Sequence, residues 1–506
     1  MSHNYYIGLK NNAAPFDPEG IPLLTYDDFF NHVSDLLQEG SNHCLAYYTV
    51  EQSGKLKFYC CIANDIDHSI AVLSHEHEAN RLNLKSLTPV CNQLHIFERE
   101  IHENFGVGFE GHPWLKPVRY PYDRTDKSKN MDNYPFFEIE SEELHEVGVG
   151  PIHAGVIEPG HFRFICNGEK VLHLEIHLGY QHRGIERLFV EKDNALQRCI
   201  LSESIAGDTV IGHALAHTQL IESLAGIEVD EGLQIERCIA LELERIAVHI
   251  GDTAALCADI AYQLGQVVCE ALRTTIINTT QLWCGNRFGK GLVRPGGSNY
   301  HLDENVIKAI LSVVEDTGQR FRQMTETIYT MPSVLSRFDD IGTVTTQQAL
   351  TIGATGMAAR TCNVARDIRA SHPFQYYKNY PVAPVVLETG DVLARGMLRN
   401  LEVIESINII RELIVIWREK IKACKPPVYN YILKPGSMAI SLTEGWRGEI
   451  CHCAITNKKG EIIYYKVKDP SLHNWMALAL AVRNQEISDF PVCNKSFNLS
   501  YCGYDL

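Results

Sequence analysis

No C-x-x-C pair occurs in this chain of 506 residues, although it carries sixteen cysteines. An iron–sulfur cluster or a zinc site needs two or more close thiolates converging on one group, so no metal is expected to be held by this chain. The cysteines are scattered apart from the neighbours Cys60 and Cys61 and the pair Cys451 and Cys453, and they read as buried thiols in a reducing compartment. Also missing is any uninterrupted apolar run of about 20 residues that could span a bilayer. The first residues, MSHNYYIGLKNNAAPFD, lack the charged-then-apolar pattern of a secretory leader, and a soluble chain is expected. Positive charge is short as well. Lys and Arg number 46 against 62 Asp and Glu, a formal net charge of −16, which argues against a large nucleic-acid-binding surface.

What is present is ordinary globular material, 45% hydrophobic and 21% charged, long enough for two domains. The first is expected over 1–125. An amphipathic helix is predicted at 26–37, strands at 44–50 and 56–62 joined by a turn at Ser53-Gly54, and a third strand at 70–74, an α+β pattern. Residues 89–108 read as a helix with a dense band of charge, Glu98, Arg99, Glu100, His102 and Glu103, fit either for a solvated face or for an interface. Polar, acidic residues 126–146 show no clear period and are expected to form a linker.

The second domain is expected over 147–506. A hairpin is predicted from 162–166 and 171–176 around Asn167-Gly168, followed by His182-Arg183-Gly184 and Ile185-Glu186-Arg187 entering a helix. The run 197–226 reads as one buried helix, and Gly207 and Gly212 inside it suggest close packing. Long helical periodicity marks 235–264, 268–280, 304–330 and 392–422, with a small antiparallel sheet predicted from 439–442, 448–455 and 462–467. His213 and His217 stand four residues apart, but H-A-L-A-H lacks the Glu of a metal-hydrolase H-E-x-x-H site.

Several motifs carry a family resemblance. F-E-R-E-I-x-E-N-F-G at 97–106, then Gly111-His112-Pro113 and Arg119-Tyr120-Pro121, resemble the end of the 30-kDa-type subunit of respiratory complex I, a module also fused to the large subunit of formate-hydrogenlyase-type hydrogenases. G-P-x-H at 150–153, E-P-G-H-F-R at 158–163 and H-R-G-x-E at 182–186 resemble the large subunit of energy-converting, membrane-bound [NiFe] hydrogenases and, more loosely, the 49-kDa-type subunit of complex I. The match continues through Leu241-Glu242-Leu243-Glu244-Arg245 with His249, Arg294-Pro295-Gly296-Gly297, Ala365-Arg366-Asp367-Ile368-Arg369 with His372-Pro373, and Glu444-x-x-Arg447-Gly448-Glu449. The resemblance implies an α+β chain: a 30-kDa-like docking domain before a mainly helical, hydrogenase large-subunit-like domain with small β-sheets.

It also implies which positions matter. In that hydrogenase family two C-x-x-C pairs hold nickel and iron, and the matching positions here are Ala206 and Thr209, and Ser500 and Gly503, with Cys502 one place off register. Thiolates suit those soft metals, so no metal ligands are assigned. The complex I relative binds a quinone headgroup with a Tyr and a His; the Tyr position falls at about Ala206, while His153 and His161 could supply the His side. Six ionisable residues, Glu203, Asp208, His213, Arg360, Asp367 and Arg369, fall where the family places its active site. They are expected to form a proton-responsive network, the plainer alternative being buried ion pairs that only fix the fold. The resemblance thus implies the peripheral-arm large subunit of an energy-converting oxidoreductase complex, hydrogenase-like or of the NADH:quinone type, acting only within that complex and coupling electron transfer to ion movement. Its implied partners are a small iron–sulfur subunit holding the cluster and antiporter-like membrane subunits. They would hold the chain in the cytoplasm against the inner face of the membrane. A scaffold that keeps the fold and has lost its chemistry is the alternative.

Overall fold

The structure is a computed structural model that describes residues 5–79, 82–154, 157–420 and 425–506. In the N-terminal part, strands β1 (Ile7–Leu9), β2 (Leu23–Leu24), β3 (Asn42–Gln52), β4 (Lys55–Asn64) and β5 (Ser69–Glu78) form a sheet in the order β1-β5-β4-β3, with β2 parallel to β5. The predicted turn at Ser53-Gly54 joins β3 to β4 with both residues at positive φ, which a glycine accepts without strain. Helix α1 (Tyr26–Gln38) starts because the Thr25 hydroxyl accepts from the Asp28 N–H, and it buries Phe29, Phe30, Val33 and Leu37 as one stripe.

Helix α2 (His95–Phe105), flanked by β6 (Asn83–Lys85) and β7 (Gly108–Glu110), begins later than the expected 89. The Glu98 carboxylate accepts from Ser86 Oγ (2.5 Å), Leu87 N (2.7 Å) and Thr88 Oγ1 (2.6 Å), drawing the preceding segment across the helix instead of into it. Its band of charge is not a solvated face: Glu98, Arg99, Glu100 and Glu103 are all buried, and Glu100 reaches Lys466 of the C-terminal part.

The expected linker 126–146 ends inside a strand. His145 and Glu146 open β8 (His145–Val149), which extends β9 (His161–Asn167) and β10 (Lys170–His177) in the order β10-β9-β8. Helices α3 (Ile185–Glu191), α4 (Ala195–Ser202) and α5 (Val210–Ala225) follow, then α6 (Glu231–Asp259), α7 (Gln263–Cys284) and α8 (Glu304–Ile328). The predicted helix 235–264 divides at Ala261, whose φ is +59°, so its last residues start α7. Short helices α9 (Pro332–Phe338), α10 (Thr346–Ile352), α11 (Gly356–Arg360) and α12 (Ile368–Ser371) lead to α13 (Val392–Lys420). The last two residues expected in that helix, 421 and 422, lie outside the described residues. Strands β11 (Met438–Glu444), β12 (Glu449–Thr456) and β13 (Ile462–Lys468) form an antiparallel sheet in that order. Helices α14 (Ser471–Ala481), α15 (Phe490–Phe497) and α16 (Tyr501–Asp505) close the chain. The mixed helical and strand architecture bears out the α+β expectation.

The two parts share one boundary. The 11–16 segment pairs with the edge of β11 through Ala13 N to Ile440 O (2.9 Å) and Met438 N to Phe16 O (2.8 Å), covering an otherwise open strand edge. Tyr48 of β3 stacks on Tyr464 of β13 at 4.8 Å. Buried charges cross beside them: His43 meets Glu449 at 2.5 Å, and Lys466 donates to Glu100 at 2.5 and 2.7 Å, with Arg119 on the same carboxylate at 2.6 Å. Stranding any one of these charges costs several kcal/mol, about 3–5, so this boundary is a fixed one.

Candidate functional site

The expected single helix 197–226 is two helices separated by an irregular turn at 203–209. The turn's carbonyls are taken by side chains from elsewhere. Arg183 donates to Ser204 O (2.6 Å) and Ile205 O (3.0 Å), and the Trp446 indole N–H donates to Asp208 O (2.9 Å). Helix α5 then restarts with its first N–H groups on a carboxylate: Glu244 accepts from Ile211 N (2.7 Å) and Gly212 N (3.2 Å). Of the two glycines, Gly212 has the expected close neighbour, since a Cβ there would stand 2.8 Å from Ile450 Cδ1, while nothing lies within 4 Å of one at Gly207.

The same Arg183 also donates to Cys502 O (2.9 Å), so one guanidinium ties the 203–209 turn to the C-terminal segment. The Gly207 N–H and the Glu158 carboxylate both meet the Cys502 thiol. The segments that carry Ala206 with Thr209 and Ser500 with Gly503, far apart in sequence, are thereby brought together, and all four residues are buried. Their chemistry is a methyl, two hydroxyls and a bare backbone. Burial pushes the one nearby thiol, Cys502, up to about 11, so it is held protonated. This donor set does not fit a nickel–iron group. Among the described residues no group of three or more His, Cys, Asp or Glu side chains is arranged to hold a metal ion.

Polar groups fill the surroundings. Asp208 receives a two-pronged bond from Arg447 (2.6 and 2.7 Å), whose Nη1 also reaches Thr209 Oγ1 at 3.1 Å. A Cβ at Gly503 would stand 2.7 Å from Asp469 Oδ2, and that carboxylate meets His213 Nε2 at 3.0 Å. Burial works to raise the Asp469 carboxyl, but the His213 hydrogen bond and the Arg447 charge hold it below its ordinary value.

Arg360, Asp367 and Arg369 stand together, in a second group with partners from α6, α13 and the end of β11. Arg369 binds Asp367 through Nε (3.1 Å) and Nη2 (2.7 Å) and reaches Glu242 at 3.0 Å. Arg360 bonds Glu402 and Glu444, the latter at 2.7 Å, and lies 3.6 Å from Asp367. Arg245 pairs with Glu242 at 3.2 Å, and His249 meets Glu402 at 2.6 Å. Three arginines thus face four carboxylates, Glu242, Asp367, Glu402 and Glu444, all buried. The excess negative charge falls on Glu444, which burial and the nearby Asp367 push up to about 7. Glu203 belongs to neither group; it pairs with Arg294 at 2.6 Å.

His153 and His161 serve their own loop. His153 Nε2 bonds Gly160 O (2.8 Å) and His161 Nδ1 bonds Gly150 O (3.0 Å); residues 155 and 156 between them lie outside the described residues. The turn 445–448 links the groups. Glu444 and Glu449 face each other across it, Trp446 and Arg447 reach the 203–209 turn, and Gly448 lies so close to Gly356 that a Cβ on Gly448 would meet its Cα at 2.6 Å. Asp469 and His452, which complete the surroundings of His213, escaped the sequence reading. Alternation along β12 was the available signal: Cys451 and Cys453 face the N-terminal part, so His452 between them faces α5.

Comparison with known proteins places these features in a lineage. Residues 25–133 match the family model described as "Respiratory-chain NADH dehydrogenase, 30 Kd subunit", and residues 259–429 match "Respiratory-chain NADH dehydrogenase, 49 Kd subunit". The chain is similar to the "Carbon monoxide-induced hydrogenase" of Rhodospirillum rubrum, 30% identical over 358 residues, 70% of this chain and 97% of that one. It is 24% identical to "Hydrogenase-4 component G" of Escherichia coli over 478 residues, 91% of this chain and 80% of the relative. It is also 25% identical to the C/D polypeptide of the NADH-quinone oxidoreductase of Phocaeicola vulgatus over 461 residues, 83% and 86% of the two chains.

Proposed function

Because this chain belongs to the family that unites the 49 kDa subunit of the respiratory-chain NADH dehydrogenase with membrane-bound hydrogenases, joined here to a 30 kDa domain, we propose the following role. It is the large subunit of the peripheral arm of an energy-converting oxidoreductase complex, and it works without a nickel–iron group of its own. One observation carries the second half of this reading: Arg183 ties the 203–209 turn, which holds Ala206 and Thr209, to Cys502 between Ser500 and Gly503, and the thiol there is protonated. The framework of the family site is kept and its soft ligands are replaced.

In this reading the small iron–sulfur subunit docks over the partly exposed side of the site, where Asp208, Glu158 and Cys502 reach the surface, and carries the cluster. Among the described residues no helix is long and apolar enough to cross a membrane, so attachment falls to antiporter-like membrane subunits. A quinone, if one binds, would find no Tyr at Ala206, and His153 and His161 would have to release their loop carbonyls first. The chain's residues do three things here: Arg183 fixes the turn, Arg447 orients Asp208, and Asp469 with His213 offers a place for a proton.

The test is purification from detergent-solubilised membranes through a tag on this chain. An iron–sulfur small subunit and antiporter-like membrane subunits should be recovered with it, on the cytoplasmic side. Recovery of the chain alone from the soluble fraction would refute the role. Recovery in a complex that holds no redox centre would leave only a scaffold.

A further inference from the structure

His213 is the first of four side chains joined end to end inside the protein. Its Nδ1 meets His452 Nε2 at 3.1 Å, His452 Nδ1 meets the Tyr465 hydroxyl at 2.8 Å, and the same hydroxyl meets His217 Nδ1 at 2.9 Å. With the 3.0 Å contact from His213 Nε2 to Asp469, five groups form an unbranched chain across α5, β12 and β13. All are buried. At the far end His217 Nε2 has no hydrogen-bond partner among the described residues. Tyr465 also lines a cleft of about 1000 Å³ together with Glu186, His182 and Arg119.

The direction of every bond follows once Asp469 is ionised and the His213 ring is uncharged. An ionised Asp469 can only accept, so His213 carries a proton on Nε2. A neutral His213 then accepts at Nδ1 from His452 Nε2–H. His452 accepts at Nδ1 from the tyrosine O–H, and the tyrosine oxygen accepts from His217 Nδ1–H. Each bond donates toward Asp469, and the free lone pair is left on His217 Nε2. Burial keeps His452 and His217 neutral, with the Arg198 and Arg294 charges adding to it at His217: His452 lies well below its ordinary value and His217 is lowered to about 3. The charges facing the chain are Arg447 at the Asp469 end and Arg198 and Arg294 at the His217 end.

We propose that His217, Tyr465, His452, His213 and Asp469 form a proton wire from His217 Nε2 to the Asp469 carboxylate beside Gly503. A hydronium proton bonds to His217 Nε2, and the O–H bond of the hydronium breaks. His217 passes its Nδ1 proton to the tyrosine oxygen as that hydroxyl passes its own to His452 Nδ1. His452 passes its Nε2 proton to His213 Nδ1. The result is a His213 imidazolium against the Asp469 carboxylate, which completes transfer of one proton when Nε2–H gives it to Oδ2. No electron moves. The wire rests on the proposed role in one respect, that a proton is consumed beside Asp469; its bonding does not.

The experiment uses the full chain labelled with 15N in histidine, and reads ring tautomers and ring N–H exchange by NMR. His217 should appear as the Nδ1–H tautomer, the rarer form of free histidine, with His213 and His452 protonated at Nε2. In Tyr465→Phe, exchange at His213 should slow by about tenfold or more, and His217 should revert to Nε2–H. His452→Gln, which interrupts the wire at its middle, should slow His213 exchange while leaving the His217 tautomer as it is. An Nε2–H tautomer of His217 in the unmodified chain, or His213 exchange unchanged in both variants, would overturn the wire. These readouts need no partner subunit, so their failure is distinct from failure to recover a membrane complex.

Discussion

Two buried polar regions lie on either side of the 445–448 turn, and they hold charge in opposite ways. Around Arg360 and Arg369, three guanidiniums face four carboxylates, and every proton but one is fixed because arginine does not release its own. Around His213, imidazole rings and a hydroxyl are joined in series with a single carboxylate at one end. The first region clamps helices together and can exchange a proton at Glu444. The second can pass a proton. Density of charge is therefore a poor guide to which residues work on protons; the kind of cation decides it.

The contrast between the two regions can be broken or sharpened by effects of graded size. The largest concerns the clamp: Arg369→Ala takes one guanidinium from both Asp367 and Glu242, leaving two arginines against four buried carboxylates, and should cost about 3–5 kcal/mol in urea unfolding, or abolish folded yield. A loss under about 1 kcal/mol would show that the clamp is not holding the fold. Next come pH slopes of opposite sign. Glu444 keeps its proton to about 7 when folded and to 4.5 when unfolded, so stability falls as pH rises between those values, by about 1.4 kcal/mol per unit. Glu444→Gln should remove that slope.

His217 runs the other way. Its folded value near 3 lies below the ordinary 6.5, so stability is full above 6.5 and is lost as pH falls toward 3, when the unfolded chain takes the proton. His217→Gln should make the protein less sensitive to acid, and an unchanged acid limb would place that proton elsewhere. The smallest effect is expected at His153, whose bond to Gly160 O only clips its loop; His153→Ala should cost about 1 kcal/mol in urea unfolding.

Much of this was legible in the chain. Period-2 and period-3.6 patterns located β3, β4, β9, β10, the terminal sheet and the long helices, because each has one face turned to a core. Motif spacing singled out the 203–209 and 500–503 segments, which Arg183 joins. Tertiary donors hid the rest. The break at 203–209 depends on Arg183 and Trp446, and the late start of α2 on Glu98, and no local signal in those segments announces a side chain arriving from elsewhere. The six ionisable residues expected as one network fall into separate groups for the same reason. Sequence shows which residues carry charge, and only the fold decides their partners.

The most direct test of the account is the nickel content of the complex purified through this chain, measured by elemental analysis beside its iron. The account predicts iron from the partner's cluster and no stoichiometric nickel, because Ala206, Thr209, Ser500 and Gly503 offer no thiolate. Nickel in stoichiometric amount with this chain would contradict it.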